Sequence, residues 1–249
     1  MEGLKLKILK KMFLTYFLML VIFTNSFGFY ISSENFDQRI DTGGYKEFIL
    51  KNNSDTTVRY KFEVKKGNGD KDMSKWVTLY PKVMSIPPMQ ERVLKIHAQS
   101  PAGAEEGEYS FNLLAKPIVV PTIKEEDGTI SGTGTLSFVP VIEMLGYVGD
   151  ANFEEKLNLK DIKLEAGTNN EAILTGVIEN SSFAGIAVGL KFLSWNDLIM
   201  NGKYIGRIPK NTSSKIRVQL KGIIDKESDI KKIVIYNAVT LKNIKTIEL

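Results

Sequence analysis

The 249-residue chain has no cysteine and a single histidine, His97. The missing thiols exclude disulfides, a cysteine nucleophile and lipid attachment through a cysteine. Together the two shortages exclude the Cys/His ligand sets of zinc and haem sites. A secreted animal domain of this size would usually be cross-linked, so the absence leans toward a bacterial envelope protein with enough core to stand alone. His97 lies in the alternating run Arg92–Ala98, on the face of Val93 and Lys95 and opposite Leu94, Ile96 and Ala98. It is therefore expected in solvent, not as the base of a nucleophilic triad.

Long apolar runs are also lacking. The core Phe13–Phe23 is 11 residues, short of the ~20 that cross a bilayer as a stable helix. Lys5, Lys7, Lys10 and Lys11 precede it, and Ser26 and Gly28 stand at the −3 and −1 positions of a cleavage site after Gly28. Residues 1–28 read as a cleavable secretory signal, with an uncleaved anchor as the alternative and Met12 as a second candidate start. No stable membrane span is expected once the signal is removed. Those 28 residues hold four lysines and Glu2, so the formal +4 shrinks to 29 basic against 28 acidic residues. A balance this even argues against nucleic acid or an acidic membrane surface as partner.

Motifs for chemistry are equally scarce. Gly132-x-Gly134 has no helix after it and makes no phosphate cradle. Glu105, Glu106 and Glu108, and Glu125, Glu126 and Asp127, lack the odd-position spacing of a calcium loop and read as solvated loops. A hydrolase working with loop carboxylates has no constellation behind it. Trp76 and Trp195 are expected as core anchors, not sugar platforms. No catalytic residue, metal or cofactor is assigned, and the chain is read as a non-enzyme.

What the sequence does contain is period-two alternation. In Tyr45–Lys65, two such runs flank Asn52-Asn53-Ser54-Asp55, and the second sets Val58, Tyr60, Phe62 and Val64 against Arg59, Lys61, Glu63 and Lys65. This predicts a β-hairpin with one face buried. Further strands are predicted at Phe29–Ile40 (broken near Ser32–Asn35), Trp76–Tyr80, Arg92–Ala98, Tyr109–Lys116 and about Ile130–Val139. Turn signals between them and the lack of an amphipathic helix indicate an immunoglobulin-type β-sandwich over residues 29–142. Pro140–Phe153, with Gly146 and Gly149, reads as the boundary. Beyond it Leu157–Leu164, Ala172–Ile178, Ile186–Phe192, Leu198–Ile208, Ile216–Leu220, Ile233–Tyr236 and Val239–Ile247 form a second, smaller sandwich over 143–249, with no evident sequence repeat of the first. The fold class is all-β: two immunoglobulin-like β-sandwich domains after an N-terminal signal peptide.

The order of features over residues 29–140 resembles the amino-terminal domain of PapD-like periplasmic pilus-assembly (fimbrial) chaperones. YKEFILKNNS is similar to the family's second strand ending in Asn, TTVRYKFEV to the third, LYPKVMSIPPMQERVLKI to the proline-turned segment with its following strand, EGEYSFNLLAKPI to the next strand and GTLSFVPV to the closing strand. The chain is also similar to sandwich domains of Gram-positive surface proteins that interact with WxL proteins. The chaperone resemblance implies that the closing strand is donated to a pilus or surface subunit by strand addition. By position that strand is Ile130–Val139, with Ile130, Leu136 and Phe138 as partner-binding residues. The family clasps the subunit's terminal carboxylate with an arginine of the first strand and a lysine of the closing strand. Here the closing strand has no lysine, and Arg39 and Lys124 are the nearest candidates. Two readings follow: a periplasmic or cell-surface binding protein that captures an extended segment of a secreted or surface protein subunit, or a structural or adhesive cell-surface component without chaperone activity.

Overall fold

The computed structural model describes residues 29–32, 35–118, 123–126, 129–132, 138–166, 171–194, 199–221 and 230–249. The expected signal, Leu136 and Trp195 lie outside the described residues. In the first sandwich one sheet runs β1 (Phe29–Ile31), β3 (Gly44–Asn52), β8 (Glu91–Ala98), β6 (Val77–Tyr80). The facing sheet runs β2 (Asp37–Arg39), β12 (Val141–Val148), β9 (Gly107–Pro117), β4 (Val58–Lys66), β7 (Val83–Ile86), with the short β5 (Lys71–Asp72) added on β9. The first strand breaks where expected, and its two pieces join opposite sheets: β1 pairs with β3, β2 with β12.

Alternation sets the core. Phe48 and Leu50 of β3 and Leu94, Ile96 and Ala98 of β8 meet Tyr60 and Phe62 of β4, Phe111, Leu113 and Ala115 of β9 and Met144 of β12. Phe36 meets Phe111 edge-on at 6.0 Å between ring centres, the geometry that ring quadrupoles favour. Trp76 packs against this core with its ring centre 4.8 Å from that of Tyr109. His97 points to solvent.

The expected hairpin at Tyr45–Lys65 is corrected: both strands form, but they do not pair. β3 lies between β1 and β8, and β4 lies between β9 and β7 in the other sheet. The cause is Asn52. Its buried side-chain amide donates from Nδ2 to the carbonyls of Thr56 (2.7 Å), Ile86 (3.0 Å) and Pro87 (3.1 Å), and its Oδ1 accepts from the Ser54 amide and hydroxyl. The side chain ties the end of β3 to the end of β7, so the chain crosses between layers where a hairpin would fold back within one.

In the second sandwich β13 (Leu157–Ala166), β14 (Glu171–Asn180) and β17 (Thr212–Lys221) form one sheet. The other runs β16 (Ile199–Ile208), β15 (Ile186–Leu193), β18 (Lys232–Asn237), β19 (Asn243–Glu248). All seven segments predicted here hold a strand, around a core that includes Leu174, Ile178, Val188, Leu190, Phe192, Leu220, Ile233 and Ile235. A one-turn helix, α1 (Phe153–Lys156), precedes β13. Although no sequence repeat was evident, the layer crossing recurs. Asn180 Nδ2 donates to the carbonyls of Ala184 (2.9 Å), Ile208 (3.3 Å) and Pro209 (3.1 Å), and its Oδ1 accepts from the Ser182 amide and hydroxyl.

The last strand of the first sandwich is also corrected. It is β12, later than Ile130–Val139, and its pairing with β9 continues to Val148, past the expected division after residue 142. Ile130 belongs instead to β11 (Thr129–Gly132), which among the described residues pairs only with β10 (Ile123–Glu126). Gly146, read as punctuation, is mid-strand, and it is glycine because a Cβ there would come within 2.9 Å of Ile40 Cγ2 and 3.1 Å of Met73 Sδ. Pro140 stands just before the strand, where its missing N–H falls at the end of the ladder.

Candidate functional site

Residues of β12 bond alternately to its two sides. Even-numbered positions face β9, as the bond from the Ala115 amide to the Pro140 carbonyl (3.2 Å) shows at the strand's entry. Odd-numbered positions face β2: the Leu145 amide donates to Phe36 O (2.9 Å) and the Ile40 amide to Tyr147 O (2.9 Å). Among the described residues β2 pairs only with Leu145–Tyr147. At Val141 and Glu143 the outward N–H and C=O groups therefore meet no strand among the described residues, leaving an open edge several residues long.

Apart from Glu143, the side chains beside this edge are apolar. Met144 is buried and Ile142 half-buried in the core row, while Phe138, of the same parity, is 82 % exposed. Val139 and Val141 are exposed as well. An apolar row thus leaves the core and continues into solvent next to unpaired main-chain groups. Glu143 is tethered sideways, its Oε1 accepting from the Asn68 amide at 3.1 Å.

Of the residues singled out in the sequence, Phe138 lies at this edge. Arg39 lies beside β12, opposite Tyr147. Its guanidinium is engaged by Asp41 in a two-pronged pair of 2.6 and 2.7 Å, which holds the Asp41 carboxyl below the usual range. Ile130 and Lys124 are both in the β10–β11 hairpin, Lys124 opposite Ser131 and Ile130 opposite Glu125. Glu105 and Glu108, of one acidic cluster, are taken up by cations: Glu105 by Lys71 at 3.0 Å, Glu108 by Arg207.

That last contact belongs to a charged cluster between the sandwiches which the sequence reading missed. Arg207 of β16 donates to Asp37 of β2 (2.9 Å) and to Glu108 of β9 (2.5 Å), and Glu108 also accepts from the Gly185 amide (2.7 Å). Gly185 has no Cβ to displace the guanidinium, whose Nη1 would lie 2.2 Å away. The Asp37 side chain is 2 % exposed. Burial pushes its carboxyl up to about 6, against the opposing pull of Arg207. Burial, with Asp37 nearby, also pushes the Tyr147 hydroxyl up to about 12. Asp37 and Arg207 are 170 positions apart, and no local pattern could have joined them.

No family model matches the chain, and no curated protein matches it. Among solved structures it is similar to the E. coli chaperone DraB, at 12 % identity and TM-score 0.39, covering 90 % of this chain and 96 % of that one. It is also similar to a chain of the Salmonella enterica SafA pilin–SafB chaperone complex, at 11 % identity and TM-score 0.41, with coverages of 91 % and 98 %. A third likeness is to a chain of the CsuC–CsuE chaperone–tip subunit complex of Acinetobacter baumannii, at 15 % identity and TM-score 0.37, with coverages of 89 % and 97 %.

Proposed function

We propose that this protein is a non-enzymatic binding protein of the bacterial periplasm that captures an extended segment of a secreted or surface protein subunit by strand addition to β12. The observation that carries the reading is the edge at Val141 and Glu143, which meets no strand among the described residues, beside the exposed apolar side chains Phe138, Val139 and Val141. Main-chain bonds supply affinity that any extended segment can use, and the apolar side chains select one with matching hollows. Because Asp41 already holds Arg39, capture in this reading does not depend on an arginine–lysine clasp for a terminal carboxylate.

The test is recovery of partner from the native envelope with the tagged mature chain, against a Phe138→Glu/Val141→Arg double variant. Both side chains are solvent-exposed, so the variant is expected to unfold at the wild-type denaturant midpoint and lose the partner. Equal recovery by the two proteins contradicts the reading. Recovery of the wild type only as part of a large surface assembly favours the structural or adhesive alternative.

A further inference from the structure

The second sandwich carries a groove of about 500 Å³ between residues 203–205 of β16 and 215–219 of β17. These strands are joined by a short turn yet belong to different sheets, and each is the outermost strand of its sheet. Among the described residues the groove is therefore bordered by two open strand edges. Ile216 and Val218 turn toward the core, with Ile205 half-buried on the other wall.

The rim is basic. Lys215 and Arg217 project from the outer face of β17, Lys203 stands on β16, and Tyr204 beside it is 62 % exposed. None of these three cations has an ion-pair partner among the described residues. The positive face extends across the sheet: Lys215 is in register with Val177 and Lys160, and Arg217 with Thr175 and Lys163. Lys160 is matched by Glu179 at 2.6 Å.

The spacing of these charges selects a ligand. Residues two apart on a strand stand roughly 7 Å apart on one face, and carboxylates at alternate positions of an extended peptide have the same repeat. A strand laid on the edge of β17 would set its outward side chains directly across from Lys215 and Arg217, within cross-strand pairing distance. Its inward side chains would meet the apolar wall of Ile205, Ile216 and Val218.

We propose that this groove is a second binding site, which takes an extended acidic peptide segment with alternating carboxylate and apolar side chains as an added strand on β17. It is separate from the β12 edge and does not depend on capture there. Lys203 and Tyr204 line the far rim.

The probe is a labelled ten-residue alternating Glu-Val peptide, titrated with the mature chain and followed by fluorescence anisotropy. Saturable binding is expected, weakened by added salt and about tenfold or more by Lys215→Glu/Arg217→Glu. Lys203→Ala, at a site whose loss cannot disturb β17 pairing, should weaken it less but measurably. Two N-methylated peptides, one methylated at the glutamates and one at the valines, separate strand addition from charge alone. One of them should lose affinity, because one set of amides faces β17. Absence of saturable binding, indifference to the double variant, or equal binding of both methylated forms would overturn the proposal. So would attachment to phosphatidylglycerol vesicles with none to the peptide.

Discussion

At Asn52 and Asn180 one side-chain amide serves three carbonyls and one backbone amide, and both residues are buried. Replacing either with alanine strands several buried polar groups at once, each worth about 1–3 kcal/mol when left unsatisfied. Asn52→Ala and Asn180→Ala should each cost about 2–4 kcal/mol in urea unfolding. Asp at the same positions should not rescue, because it accepts but cannot donate to the three carbonyls. Gly146→Ala should cost about 1–3 kcal/mol by overpacking, since its Cβ would press on Ile40 and Met73. Removing Arg207 would leave Asp37 and Glu108 facing each other without a cation. Arg207→Ala is expected to destabilise by about 3–5 kcal/mol, with Lys restoring part because a point charge cannot serve both carboxylates. Asp37 adds a pH signature of definite sign. Its folded value, about 6, lies above its ordinary 3.8, so the folded state binds the extra proton between those values and loses stability as pH rises through that window. Wild type should therefore fall relative to Asp37→Asn between about pH 4 and 6, and melting both variants across that range checks it.

At the scale of elements, period-two alternation was enough to place most strands and to assign their faces. It put Leu94, Ile96 and Ala98 inside and His97 outside, because facing is a local property of the pleat. Pairing is not local. The runs around Asn52 alternate identically whether they form a hairpin or lie in opposite sheets, and the choice is made by Asn52 reaching carbonyls 34 and 35 positions away. β12 was misplaced for a related reason: Gly146 looks like punctuation until Ile40 and Met73 explain why only glycine fits within the strand. The closing strand of the first sandwich was thus legible in kind and misplaced in position. The element-scale prediction is that charge at Phe138 and Val141 abolishes capture without moving the unfolding midpoint, read by native pull-down and urea titration on the same variant.

On the scale of the whole molecule, two sandwiches with separate cores meet at the Arg207 cluster, where β2, β9, β16 and the Gly185 turn converge. β2 contributes twice: Asp37 reaches into this cluster, and the strand caps the second half of β12, so its end defines where the open edge begins. Weakening the cluster with Arg207→Ala should therefore lower partner recovery even though Arg207 touches no proposed partner contact. Compensation by Asp37→Asn, which removes one of the stranded charges, would trace the loss to the junction.

The most direct measurement is residue-resolved hydrogen exchange of the mature chain with and without its captured partner. Free, the outward amides of Val141 and Glu143 should exchange fast and those of Ile142 and Met144, bonded to β9, slowly. Bound, Val141 and Glu143 should become as protected as their neighbours. A stoichiometric complex in which those two amides still exchange fast would contradict capture by strand addition to β12.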